Sequence, residues 1–139
     1  MILVDAGPLL SLVNKRDPDH ERCRAVARAF PRGELFLTTL PCFTEAMYMV
    51  GEAGGHRAQA LLWEMRSRGD LVLHAMTDTE IDRAEVLMEK FNDSPMDFGD
   101  ASLVAVAETR GLRRVFTLDR HFWGYRLADG SALEPVPGR

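Results

Sequence analysis

The sequence predicts an α/β fold, a three-layer sandwich in which a short central parallel sheet is flanked by helices. Short apolar runs alternate along the chain with segments of helical periodicity. None of these runs alternates with polar residues, which is typical of strands covered on both faces, as in a parallel sheet. Strands that alternate with helices imply right-handed crossovers between parallel strands. The length of 139 residues suits one domain with one core.

Four apolar runs predict four strands, and two of the runs lead directly into an aspartate. The strands are expected at residues 2–4, 35–37, 71–73 and 115–118. Asp5 follows the first strand and Asp119 follows the fourth. A fifth strand is expected at 125–127 or at 133–136. The second position is the weaker candidate, because Pro135 has no N–H to donate in a strand ladder.

The first half of the chain contains two clear helix signals. One helix is expected to begin near Asp17, as its N-cap, with Pro18 in the first turn. Its apolar residues recur at helical spacing, namely Cys23, Val26, Ala27 and Phe30. Thr39 is expected to cap another helix that runs through Glu45 to about Met49.

The second half of the chain contains three further helix signals. Apolar spacing predicts a helix over 58–65, and Thr77 with Glu80 has the spacing of a capping box that starts the next one. Residues 101–107 are apolar nearly all round, so the last helix is expected to be buried and to end at Gly111.

The whole chain, 1–139, is expected to be a single domain, with 128–139 as a loosely packed C-terminal tail rich in proline and glycine. Cys23 and Cys42 fall in expected helices, where buried free thiols are more plausible than a disulfide. No basic leader precedes the first apolar run, and no run approaches the roughly 18 residues of a membrane span. A cytoplasmic location is therefore expected.

The formal net charge of −4 gives no sign of nucleic-acid binding, although a binding face can be local. Of the 17 basic residues, 15 are arginine, whose planar guanidinium suits phosphate because it donates two parallel hydrogen bonds. Four arginines late in the chain are candidates for contacts with a phosphate backbone, with an ordinary solvated basic patch as the open alternative: Arg110, Arg113, Arg114 and Arg120.

Carboxylates from distant parts of the chain are expected to meet at one edge of the sheet. Sites in open parallel sheets form beyond the carboxyl ends of the strands, where Asp5 and Asp119 lie. A crossover helix runs antiparallel to the strands, so its first turn faces the same edge. This places Asp97 and Asp100, at the start of the buried helix, and Glu45, early in its own helix, beside the two aspartates.

Each of these acids also has an ordinary structural interpretation. Asp5 and Asp97 can serve as helix N-caps, and Asp100 can interact favourably with a helix N-terminus. Asp119 can be a turn residue, and Glu45 an exposed helix residue. The joint pattern, rather than any single residue, predicts a site.

A shared acidic cleft needs a counter-charge. Two carboxylates about 4 Å apart repel by roughly 4 kcal/mol at an effective dielectric near 20. Oxygen ligands that retain water suit Mg²⁺ or Mn²⁺, whereas zinc is disfavoured because no Cys/His cluster has ligand spacing. His121, two residues after Asp119, is more plausibly a surface residue than a substrate contact.

Four segments, in order and spacing, resemble bacterial PIN-domain proteins. Residues 3–10 and 38–46 are similar to the opening of such proteins, and 96–105 and 115–120 to their closing half. The resemblance implies their fold, a parallel sheet flanked by helices. One departure is that Ala6-Gly7 follow the first acid, where many relatives carry hydroxyl or amide side chains.

The resemblance also assigns residues. It implies that the four family acids are Asp5, Glu45, Asp100 and Asp119. Asp5, Asp100 and Asp119, together with Asp97 as an extra acid, would bind Mg²⁺ or Mn²⁺. Thr117 would help to order the site. The implied activity is hydrolysis of RNA phosphodiester bonds, with the metal polarising the phosphate and activating water. The implied partners are a second copy in a homodimer and a small antitoxin protein, as for VapC-like toxins.

Other functions stay open from the sequence. A haloacid-dehalogenase-type phosphatase needs a second aspartate at position 7, which is glycine, and a phospho-receiver domain needs a late lysine, which is absent after Lys90. A PIN-like module without catalysis that binds RNA or protein, and a housekeeping RNA-processing nuclease, are the remaining alternatives.

Overall fold

A computed structural model describes residues 1–138. Within this range the strands form one five-stranded parallel sheet in the order β3-β2-β1-β4-β5. The strands are β1 (Ile2–Val4), β2 (Phe36–Thr39), β3 (Leu71–His74), β4 (Arg114–Phe116) and β5 (Glu134–Val136). The helices are α1 (Ala6–Val13), α2 (His20–Ala29), α3 (Leu40–Ser67), α4 (Asp78–Lys90) and α5 (Phe98–Arg110), followed by a 3₁₀ turn (Arg120–Trp123).

Helices cover both faces of the sheet, which confirms the predicted α/β sandwich. On one face α4 and α5 pack against Leu3, Leu37 and Val115. On the other face the apolar residues of α1, α2 and most of α3 pack against Ile2 and Phe116. Adjacent β-strand residues point to opposite faces, so these apolar strands bury side chains in both cores.

The edge strand β5 corrects two expectations. The weaker candidate position, 133–136, forms the strand, and it is not part of a loose tail, since Leu133 and Pro135 are buried. Glu134 N–H donates to Arg113 O, and Thr117 N–H donates to Val136 O. In a parallel strand the residue between these two directs its nitrogen to the open edge, so the missing N–H of Pro135 costs no ladder bond.

Two helices differ from expectation at their ends. Helix α2 begins at His20 after Asp19, not near Asp17, whose side chain accepts hydrogen bonds from Ser11 Oγ and Asp19 N–H instead. The helices expected at 39–49 and 58–65 form the single element α3 with a break at Gly55, where φ is 66°. This left-handed conformation is readily available to glycine and costly for other residues.

The remaining helix starts follow their capping residues. Thr39 accepts a hydrogen bond from Cys42 N–H, and Thr77 and Glu80 form a reciprocal capping box. Cys23 and Cys42 are buried free thiols, as predicted. Within residues 1–138, no helix combines the length and the apolar character that crossing a membrane requires.

Candidate metal and active site

The predicted acids converge beyond the carboxyl ends of β1 and β4. Asp5 follows β1, Asp119 follows β4, Asp97 and Asp100 start α5, and Glu45 lies in the second turn of α3. Asp5, Glu45 and Asp100 each have a raised pKa, because burial disfavours the charged form and the charges of the other acids add to that effect. We refer to these five residues as the acid cluster.

Asp5 is held rigidly at the base of the cluster. Its carboxylate is 8% exposed and accepts hydrogen bonds from Ala6 N–H and from Thr117 Oγ1, each at 2.8 Å. The first bond makes Asp5 the N-cap of α1, so its structural and functional interpretations coexist. Thr117 Oγ1 also accepts from Asp119 N–H at 3.0 Å, and it thereby links the acids that follow β1 and β4.

Asp97 and Asp100 are fixed by the start of α5. Asp100 N–H donates to Asp97 Oδ1 at 2.8 Å, and Asp97 N–H points to Asp100 Oδ2 at 3.5 Å, in a capping box. The hydroxyl of buried Tyr125 donates to Asp100 Oδ2 at 3.0 Å from the core side. Burial, followed by the charges of Asp97 and Asp5, raises the pKa of Asp100 to about 8.

Glu45 faces Asp97 across Gly99. A methyl group added at Gly99 would lie 3.3 Å from Glu45 Oε2 and 3.3 Å from Asp97 Oδ1. Absence of a side chain at position 99 therefore lets α3 bring its carboxylate up to the start of α5. A hydrogen bond of 2.6 Å between Thr39 Oγ1 and Ser102 Oγ ties the start of α3 to α5 there, and within α5 Ser102 Oγ donates to Gly99 O, also at 2.6 Å.

Asp119 lies at the outer side of the cluster, less buried than Asp5 and Asp100. Its carboxylate accepts from His121 N–H at 2.9 Å and contacts His121 Nδ1 at 2.7 Å, and it starts the 3₁₀ turn. His121 is exposed, and the structure shows it as a partner of Asp119.

Among the described residues, His121 is the one basic side chain that pairs with the acid cluster. Within residues 1–138, no Lys or Arg forms an ion pair with Asp5, Glu45, Asp97, Asp100 or Asp119. As the side chains stand, no group of three or more histidine, cysteine, aspartate or glutamate residues in this range is positioned to hold a metal ion. Because Mg²⁺ binds through one or two carboxylates and retains several waters, an open, oxygen-only cluster fits such an ion.

Three of the four candidate backbone-binding arginines lie away from the acid cluster. Arg114 opens β4 at the amino edge of the sheet and pairs with Glu34, and Arg110 ends α5. Arg113 binds Ser131 Oγ and Ala132 O and pairs with Asp129. The sequence already indicated this for Arg113 and Arg114, because residues at the start of a strand lie at the opposite edge of the sheet from its carboxyl end. Arg120 alone of the four adjoins Asp119.

Sequence reasoning missed two residues at the site. Tyr125 reaches Asp100 through the core, and no local pattern around position 125 indicates this contact. Arg22 lies beside Asp119 and Arg120, and its place near the start of α2 was the only available signal.

The PIN domain family model matches residues 2–126. Ribonuclease VapC26 from Mycobacterium tuberculosis is 26% identical over 138 residues, which cover 98% of this chain and 100% of the relative.

Solved structures with the same fold include three from toxin–antitoxin systems. VapC20 of Mycobacterium tuberculosis, a toxin that cleaves the sarcin–ricin loop, superposes with a TM-score of 0.78 at 19% identity, over 86% of this chain and 90% of its own. A toxin–antitoxin complex from Klebsiella pneumoniae gives 0.64 at 16% identity, over 89% and 92% of the chains. VapBC2 of Rickettsia felis, bound to a promoter DNA fragment, gives 0.63 at 11% identity, over 97% of each chain.

Proposed function

Because the chain belongs to the PIN domain family, we propose that it is a Mg²⁺- or Mn²⁺-dependent ribonuclease and the toxin of a type II toxin–antitoxin pair. The observation that carries the proposal is the acid cluster, whose members come from four distant segments and meet, within residues 1–138, without an ion pair to Lys or Arg. The relatedness to Ribonuclease VapC26 over nearly the whole chain supports RNA as the substrate.

The residues have distinct roles in this proposal. Asp5, Asp97, Asp100 and Asp119 would hold the metal ion, some of them through water. The bound ion would supply Lewis-acid polarisation of the scissile phosphate and a lowered pKa for the attacking water. Glu45, the exposed acid on α3, would bind the ion or orient the attacking water. Thr117 keeps Asp5 and Asp119 at their relative positions through its two hydrogen bonds.

The proposed partners are a second copy of the chain and a small antitoxin protein, and the proposed location is the cytoplasm. Support for the antitoxin comes from the structural neighbours, two of which are toxin–antitoxin assemblies. Co-purification with the product of an adjacent small gene tests the antitoxin, and light scattering of the purified chain tests the dimer.

Cleavage of total cellular RNA by the purified protein, with Mg²⁺ and with EDTA, tests the activity. We expect discrete new 5′ or 3′ ends with Mg²⁺ and none with EDTA, and mapping of these ends identifies the target. Intact RNA under both conditions would contradict a nuclease and favour the binding-module alternative.

We also expect Mg²⁺ to stabilise the fold, because a bound cation relieves repulsion among the acids. At a concentration ten times the dissociation constant, binding contributes about 1.4 kcal/mol, or roughly 3–6 °C in melting temperature. Differential scanning fluorimetry across millimolar MgCl₂, with matched NaCl to control for ionic strength, measures the shift. A flat melting temperature would argue against a site that is formed before the metal binds.

A further inference from the structure

A polar cleft of about 470 Å³ opens directly beside Asp119, outside the acid cluster itself. Its walls come from the start of α2, the 3₁₀ turn after β4 and the chain after β5. The side chains that matter for its chemistry are Arg22, Arg120 and Trp123, together with Asp119, which the cleft shares with the acid cluster.

Two cations converge on this cleft from different elements. Arg22 and Arg120 are both exposed, and neither side chain forms an ion pair or a hydrogen bond within residues 1–138. By contrast, the guanidinium groups of Arg113 and Arg114 donate hydrogen bonds to acceptors within the protein. The guanidinium groups of Arg22 and Arg120 are therefore available to an anion that enters the cleft, and phosphate is the anion whose geometry they match.

The indole of Trp123 adds an aromatic surface to the same cleft. Trp123 is half-buried and is one of the residues that line the cleft. Cationic side chains that track a backbone, combined with an aromatic ring on which a base can stack, are the usual components of a single-strand binding groove. A ligand that carries only anionic groups would make no stacking contact with the indole.

We propose that this cleft is a nucleotide subsite for single-stranded RNA. Arg22 and Arg120 bind backbone phosphates next to the scissile bond, and Trp123 stacks on a base. The location beside Asp119 means that RNA seated there passes the acid cluster with a phosphate at its outer side. The biological meaning of the subsite rests on the proposed ribonuclease function, but binding can be measured without cleavage.

Fluorescence anisotropy with a labelled 12-nucleotide single-stranded RNA of mixed sequence, in EDTA and at low salt, measures binding alone. We expect Arg22→Gln and Arg120→Gln each to weaken binding about 5- to 10-fold and to reduce the slope of log K against log salt by about 0.7, since each removes one phosphate contact. Arg28→Gln is the matched control, because Arg28 is another exposed arginine of α2 that does not line the cleft.

Tryptophan fluorescence tests the stacking contact separately, because the protein has two tryptophans. Trp63 packs on Phe43 and does not line the cleft. In a Trp63→Phe variant, RNA should quench the remaining emission from Trp123, whereas in Trp123→Phe the emission from Trp63 should not change. Circular dichroism and melting curves verify that each variant is folded.

Equal affinities and salt slopes for the Arg22, Arg120 and Arg28 variants would overturn the subsite, as would absent binding by the wild type or unquenched Trp123. Cleavage assays of the same proteins separate the two proposals. A wild type that cleaves RNA while Arg22→Gln behaves like Arg28→Gln leaves the ribonuclease standing without the subsite. Binding that depends on both arginines without any cleavage leaves the subsite standing without the ribonuclease.

Discussion

Asp100→Asn is expected to lower Mg²⁺-dependent RNA cleavage at least about 100-fold, because it removes a charged ligand from the acid cluster. Asparagine has nearly the same shape, and its Oδ1 can still accept the hydrogen bond that Tyr125 donates to Asp100. Burial and the charges of Asp97 and Asp5 raise the pKa of Asp100 to about 8, so loss of its charge leaves the metal-free fold as stable as the wild type or more so.

Initial cleavage rates and thermal melting of the same preparation measure both parts of this prediction. Asp82→Asn serves as the control, since Asp82 is an exposed acid on α4 and its replacement removes the same formal charge. Undiminished cleavage by Asp100→Asn would remove Asp100 from the metal site. A lower melting temperature than that of Asp82→Asn would mean that the carboxylate has a structural role.

Glu80→Gln is expected to destabilise the fold by about 3 kcal/mol at pH 7. The Glu80 side chain is 2% exposed, and burial by itself would raise its pKa. Hydrogen bonds from Thr109, from the Thr77 backbone and from His74 outweigh that effect and lower the pKa to about 2. A carboxylate with this lowered pKa stabilises the folded state by about 3 kcal/mol relative to an unfolded chain in which it titrates near 4.5.

The pH dependence distinguishes this charge effect from simple loss of packing. Because the folded-state pKa is lowered, the stabilisation is fully present above about pH 4.5 and is lost as the pH falls toward 2. Urea denaturation at pH 7, 5, 4 and 3 should show the deficit of Glu80→Gln shrinking below pH 4.5. Glu85→Gln, at an exposed position of α4, is the control, and a deficit that persists unchanged at pH 3 would contradict the explanation.

Much of the fold could be predicted because its signals are local. The hydroxyl groups of Thr39 and Thr77 and the carboxylate of Asp97 cap helices through bonds to N–H groups three residues away. Apolar runs likewise report strands covered on both faces. The convergence of the acids followed from one topological rule, that a parallel sheet brings the ends of its strands and the starts of its crossover helices to the same edge.

The features that escaped prediction depend on contacts between distant segments. Pro135 argued against a strand only as long as the position of β5 at the sheet edge was unknown. The hydroxyl of Tyr125 reaches Asp100 through the core, and the contact depends on how residues after β4 fold back on α5.

Helix α5 carries two of the site's acids, and residues 99–107 of this helix are buried throughout. A segment packed on every side has no subglobal way to open, so its amide protons should exchange with solvent only when the entire domain unfolds. The repulsion between Asp97 and Asp100 at its first turn is therefore not relieved by local unfolding of the helix end. The cooperative stability of the whole domain offsets this repulsion. We therefore expect the acids on α5 to hold their positions before a ligand binds.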